Sequence, residues 1–239
     1  MGTPFIGIQN NAEKISIIPI IMIKKVFAPG CALMLYKPEL AERIHQLINK
    51  NMSEMDKLLT CCRHEPQLAE KTQVINVCPG CDKRFGNDYK GISTVSLWEF
   101  LAECNFFPFP NYRGRSMSII DACPTRDQER VHNAVRTILH KMNISVIEPI
   151  STRTKSTCCG DSFYGAIPTE KIKQQMVKRT SEMPLDDVVV YCVSCVKSVF
   201  IGGKRPHYLI DLLFEDETVP KTYEPDDWHK ELDEYIIKH

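Results

Sequence analysis

Along this chain, short apolar runs alternate with segments whose apolar residues recur at helical spacing. Lys24-Lys-Val-Phe-Ala-Pro-Gly30 reads as a strand breaking into a turn, and Pro38 to Ile48 follows it with Leu40, Ile44, Leu47 and Ile48 on one helical face. Leu58-Leu-Thr60 and Val74-Ile-Asn-Val77 are further strand-like runs, and Ser96 to Glu103 gives another helix. The order then returns. Met117-Ser-Ile-Ile120 is a strand, and Asp127 to Met142 is a helix with Val131, Val135, Ile138 and Leu139 on one face. Ile144-Ser-Val-Ile147 is a strand, Glu170 to Thr180 a helix and Val188-Val-Val-Tyr191 a strand, while His207 to Phe214 matches the helix at Ser96 to Glu103. Strands alternating with helices predict an α/β fold, and the repeated order predicts two tandem, pseudo-duplicated βαβ-type units.

Pro108 to Gly114, rich in Pro, Asn and Gly, marks the boundary between the copies. The expected division is an N-terminal extension over 1–23, a shortened first unit over 24–110, a second unit over 115–216 and an acidic tail over 217–239. The apolar run from Ile15 to Ile23 falls short of the roughly 20 residues of a membrane span and contains Pro19. Met1 to Lys14 lacks the basic start and small-residue cleavage site of a secretory signal, so the expectation is a cytoplasmic protein.

Composition narrows the function. At 43% hydrophobic and 25% charged, the 239 residues are those of a soluble globular protein. Thirty basic and 30 acidic residues cancel, which removes any electrostatic argument for nucleic acid or an anionic membrane as a partner. In a reducing compartment, 11 cysteines are better explained as metal ligands or redox groups than as disulfides, and the odd count argues against full pairing.

All of these cysteines but Cys104 fall into one pattern written twice: a lone Cys after a strand, a Cys-Cys pair, then Cys-x-x-Cys. The first copy is Cys31, Cys61-Cys62 and Cys78-Pro-Gly-Cys81; the second is Cys123, Cys158-Cys159-Gly160 and Cys192-Val-Ser-Cys195. Pair and Cys-x-x-Cys are 15 residues apart in the first copy and 32 in the second, so any helix between them in the first is short or absent. A Cys between a strand end and a helix N-terminus meets amide donors and the positive dipole end, both of which favour the thiolate. Four thiolates suffice for tetrahedral zinc or for a cubane cluster. Adjacent cysteines suit two irons of one cluster better than one zinc ion, and burial as plain packing residues would not reproduce the order twice.

The order Cys, Cys-Cys-Gly, Cys-x-x-Cys in a duplicated α/β unit resembles the CCG, or cysteine-rich, domain of the B-type catalytic component of heterodisulfide reductase and its iron–sulfur relatives, over about residues 24 to 216. Ala122-Cys-Pro124, Cys158-Cys-Gly160 and Cys192-Val-Ser-Cys195 match throughout; the first half matches at Gly30-Cys31 and Cys78-Pro-Gly-Cys81 but carries Arg63 in place of the glycine. The resemblance implies that Cys31, Cys61, Cys62, Cys78 and Cys81 hold one noncubane four-iron, four-sulfur cluster, and that Cys123, Cys158, Cys159, Cys192 and Cys195 hold a second. It implies one electron per cluster and a disulfide substrate cleaved between the two. It also implies an electron-donating partner, an iron–sulfur or flavin subunit similar to the C-type or A-type component of that enzyme.

Other residues carry weaker signals. His64 is a candidate proton donor or cluster hydrogen-bond partner, and otherwise a polar loop residue. Arg63, Lys83, Arg84 and Arg126 are candidates for an anionic substrate, against solvated surface charge. Cys104 is a candidate resolving thiol, with a structural role the default. Asp161, Ser162 and Tyr164 are candidates to line a cleft, Trp98 and Phe100 read as core or interdomain contacts, and His132 reads as a helix-surface residue.

Three functions follow. The first is a disulfide reductase-type subunit acting on a small disulfide or thiol compound; the second is an electron relay with no substrate of its own; the third is a zinc-stabilised scaffold. No glycine-rich dinucleotide fingerprint follows a strand, so either redox role takes its electrons from another chain.

Overall fold

Four short parallel strands form each of two sheets in the computed structural model, which describes residues 23–52 and 54–239. The apolar run before Ile23 and nearly all of the expected N-terminal extension lie outside the described residues. The first half runs β1 (Lys25–Ala28), α1 (Cys31–Tyr36), α2 (Pro38–Asn51), β2 (Asp56–Lys57), β3 (Thr72–Asn76), α3 (Pro79–Asp88), β4 (Ile92–Ser96) and α4 (Leu97–Glu103). The second runs β5 (Arg115–Ile120), α5 (Glu129–Lys141), β6 (Ile144–Ile147), α6 (Thr169–Ser181), β7 (Asp187–Val190), α7 (Val193–Ile201), β8 (Arg205–Tyr208) and α8 (Leu209–Leu213). A final helix, α9, spans Pro225–Lys238.

The sheet orders are β2-β1-β3-β4 and β6-β5-β7-β8, the same topology twice. The central strands β1, β3, β5 and β7 read as runs such as Val188-Val-Val190 because helices cover them and they are buried. The edge strands β4 and β8 are polar, as in Ile92-Ser-Thr-Val-Ser96, and apolar periodicity does not reveal them. The helix expected from His207 begins instead at Leu209, because His207 and Tyr208 pair with Val189 and Val190 of β7. Ser96 ends β4 and starts α4 by a capping box: its hydroxyl accepts the Trp98 N–H, and Glu99 accepts the Ser96 N–H.

The halves are not beads on a string. One apolar cluster joins Leu33, Leu97 and Trp98 of the first to Val189, Tyr191 and Leu209 of the second, each fully buried and worth about 1.5–3 kcal/mol of apolar transfer if aliphatic. Trp98 meets Tyr191 edge-on at 6.3 Å, and Tyr36 meets Tyr208 at 5.6 Å. Polar groups lock the seam: buried Asp211 accepts from Tyr36 Oη at 2.7 Å and from Lys37 Nζ at 2.6 Å. The expected acidic tail folds back as α9, which packs on α1 and α6 and so touches both halves.

Candidate functional site

The cysteines gather where parallel strands end. Cys31 opens α1 just past β1, Cys78 caps α3 and Cys192 caps α7, with Cys81 and Cys195 in the first turns of those helices. Cys123 opens a single turn of tight helix after β5. Cys61-Cys62 follow β2, and Cys158-Cys159 lie in the long loop between β6 and α6. All eleven cysteines are free thiols.

Within each half the five thiols form a chain of hydrogen-bonding neighbours. Cys31 and Cys62 flank Cys61, and Cys81, with one S–H to give, stands between Cys62 and Cys78. Cys123 and Cys159 flank Cys158, and Cys195, with one S–H to give, stands between Cys159 and Cys192. The connectivity is the same twice. Bonds from Cys31 and Cys62, with the Arg63 N–H at 3.5 Å, hold the Cys61 thiol far below its usual range. Bonds from Cys123 and Cys159, then Ser162 and the Gly160 N–H at 3.3 Å, do the same for Cys158. Cys78, accepting from Cys81 and from two backbone amides, is lowered to about 7. The donors move the other way: Cys31, Cys81, Cys123, Cys159 and Cys195 are raised by the bonds they give and by burial, and Cys62 rises to about 12.

This donor set fits an iron–sulfur group. Soft thiolates select such clusters or zinc, and among the described residues no three His, Cys, Asp or Glu side chains are grouped to hold one metal ion. Gly30 is part of the fit: at φ +79° it lets the backbone close on the Cys-x-x-Cys turn, where a Cβ would stand 3.1 Å from Cys78 Cβ and 3.3 Å from Cys81 Sγ.

The surroundings of the two groups differ. Over the first, Cys31 and Cys61 pack with Ile236 of α9, flanked by Leu232 and Tyr235, and the Cys61 N–H donates to the His239 carbonyl at 3.1 Å. Beside the second, buried Asp161 holds Lys197 Nζ at 3.0 Å and His229 Nε2 at 3.3 Å, and Tyr164 stacks on His229 at 3.7 Å. Ser162 Oγ stands 2.8 Å from Cys158 Sγ. Between the groups, Cys78 and Cys192 line one cavity of about 10 Å³ together with Tyr191 and Tyr208. That is room for one water at most.

Asp121, at the end of β5, organises the second group. It accepts from Arg136 Nη1 at 2.5 Å and Nη2 at 2.8 Å, from the Arg153 N–H at 2.7 Å and from Tyr191 Oη at 3.1 Å, while its carbonyl accepts from Ser156 Oγ. The loop carrying Cys158 is thereby tied to the strand carrying Cys123. Burial would push this carboxyl up; the Arg136 bonds and charge and the Arg153 amide outweigh it and hold the pKa below its ordinary value.

Several weaker sequence candidates are placed outside the thiol groups. His64 is exposed, as are Arg63, which reaches Asp233 at 3.7 Å, and Lys83 and Arg84. Arg126 is exposed but donates to the Ser156 carbonyl at 3.1 Å, shaping the Cys158 loop. Cys104 is half-buried and donates to the Leu101 carbonyl. Trp98 is a buried interdomain contact, and Phe100 is half-buried against Phe106. His132 is corrected: it is fully buried, with Nε2 3.1 Å from Thr125 Oγ1, because the face of α5 that packs inward extends past Val131. Asp121, Lys197 and His229 escape sequence reasoning. Lys197 alone leaves a trace, as the only charged residue in α7.

Comparison with known proteins singles out the second half. Residues 117–199 match the CCG cysteine-rich domain. The matched span contains Cys123, Cys158, Cys159, Cys192 and Cys195; the first group lies outside it. Such a domain suggests an iron–sulfur oxidoreductase-type subunit. No curated protein matches the chain. Among solved structures, Picrophilus torridus aspartate racemase is similar over 80% of this chain and 99% of its own, at 9% identity and a TM-score of 0.30, too low to carry an argument. No described helix is long and apolar enough to cross a membrane.

Proposed function

We propose that this chain is a subunit of an iron–sulfur reductase that reduces a small disulfide, or a related thiol compound, with electrons supplied by a partner subunit. The observation that carries the reading is the set of five free cysteines gathered at strand ends, built twice on sheets of one topology that share a core. Cys31, Cys61, Cys62, Cys78 and Cys81 would hold one four-iron group of the noncubane kind, and Cys123, Cys158, Cys159, Cys192 and Cys195 a second. Each bound group would supply one electron at a time and an iron able to take up sulfur. The chain's own part is to bring the ligand thiols together at the ends of parallel strands. Cys61 and Cys158 each accept a backbone N–H, from Arg63 and Gly160.

The cavity shared by Cys78 and Cys192 is too small for a disulfide-bearing molecule, and this favours a second reading, a pure electron relay between partners. Turnover separates the two. Anaerobically prepared, chemically reduced protein is expected to reduce at least one member of a broad panel of small disulfides; no turnover across the panel, with iron and sulfide present, would leave the relay.

A further inference from the structure

The duplication has left two thiol groups with the same wiring and different polar surroundings. In both, a backbone amide two residues on donates to the first sulfur of the pair: Arg63 N–H to Cys61 at 3.5 Å and Gly160 N–H to Cys158 at 3.3 Å. In the second half alone a side chain is added, the Ser162 hydroxyl at 2.8 Å from Cys158 Sγ. Four residues after Cys61, where Ser162 stands relative to Cys158, the chain has Glu65, whose carboxylate accepts but cannot donate. Access differs too. Cys31 and Cys61 are buried under α9 at 8% and 3% exposure, and Cys62 packs beside Phe85 and Tyr89, whereas Cys158 is half-exposed on a loop whose next residues, Ser162 and Phe163, face solvent.

A hydrogen bond to a ligating sulfur stabilises the more negative, reduced state and raises the potential of the group it serves. Arg63 near the first group is exposed and screened, and Lys197 near the second is neutralised by Asp161, so the direct bond from Ser162 is the larger difference. Resting on the reading of two iron–sulfur groups, we infer that Ser162 is a positioning residue that holds the second group at the higher potential. On the same reading the disulfide would be reduced on the side of Cys158, whose loop faces solvent at Ser162 and Phe163. The bound groups would supply one-electron chemistry, drawing two electrons in turn from a reduced one-electron carrier. Two electrons and two solvent protons convert one disulfide into two thiols, and the S–S bond is the one that breaks.

The test is a potentiometric titration of the anaerobic full-length protein, followed by electron paramagnetic resonance, for wild type, Ser162→Ala and Ser162→Thr. The second couple is identified as the one lost when Cys158 and Cys159 are replaced by Ser. The expected result is a wild-type second couple above the first, a downward shift of the second couple alone in Ser162→Ala, and recovery in Ser162→Thr. A second couple below the first, one that does not move in Ser162→Ala, or an equal shift of both couples would overturn the inference while leaving the cluster reading intact. Wild-type protein with no iron or sulfide would overturn both.

Discussion

Asp121 is the residue on which the second thiol group most depends. One carboxylate joins the end of β5, next to Cys123, to Arg136, Arg153, Thr152 and Tyr191, and so fixes where the Cys158 loop sits. Its pKa is held below the ordinary aspartate value by Arg136 and the Arg153 amide against the opposing effect of burial. A carboxyl depressed in the folded state adds stability that is fully present above its unfolded pKa, about 3.9, and is lost as pH falls through the folded value. Asp121→Asn leaves the guanidinium with Glu148 as its remaining anion, so the expected cost at pH 7 is about 3 kcal/mol in urea unfolding. That difference should shrink as the pH is lowered below 4; a cost under about 1 kcal/mol at pH 7 would show that the loop is held by other contacts. Nothing in the sequence announces this hub, since an Asp at a strand end acquires its role only when four distant segments converge on it. The cysteine order is legible because ligand spacing is a property of the sequence itself.

At the scale of elements, the second half carries a helix, α6, that has no counterpart in the first, and a glycine explains the consequence. In the second half α6 closes on the Cys-Cys-Gly turn: Gly160 has φ +108°, and a Cβ there would stand 2.8 Å from Met176 Cγ, 3.1 Å from Met176 N and 3.2 Å from the Ile172 carbonyl. The first half has no helix between Cys62 and Cys78, the residue after its pair is not at positive φ, and Arg63 is accommodated with its side chain in solvent. Gly160→Ala is therefore expected to cost about 2–3 kcal/mol in thermal or denaturant unfolding, from backbone strain and the clash with α6, and Arg63→Gly less than about 1 kcal/mol. Equal effects at the two positions would contradict this account of why the halves diverged. The missing helix is readable from the 15-residue spacing. The place of α9 is not: its contacts with Cys31, Cys61 and Asp161 lie far away in sequence, and its acidic composition reads as a solvated tail.

Across the whole molecule, a shared core and the Asp211 lock make the two halves one body with a thiol group in each. Duplicated strand order, parallel sheets and cysteines at strand ends are legible from apolar runs and spacing. The polar edge strands, and the tightness of the seam between Cys78 and Cys192, depend on pairing and packing that periodicity does not encode. The seam is too tight for a substrate to be held within it. On the proposed function both thiol groups hold iron–sulfur clusters, and the metal and sulfide content of anaerobically purified full-length protein is the measurement that decides it. Two four-iron groups require about eight irons and about eight acid-labile sulfides per chain, falling to about half when Cys158 and Cys159 are replaced by Ser. Zinc in place of iron, with no labile sulfide, would contradict it.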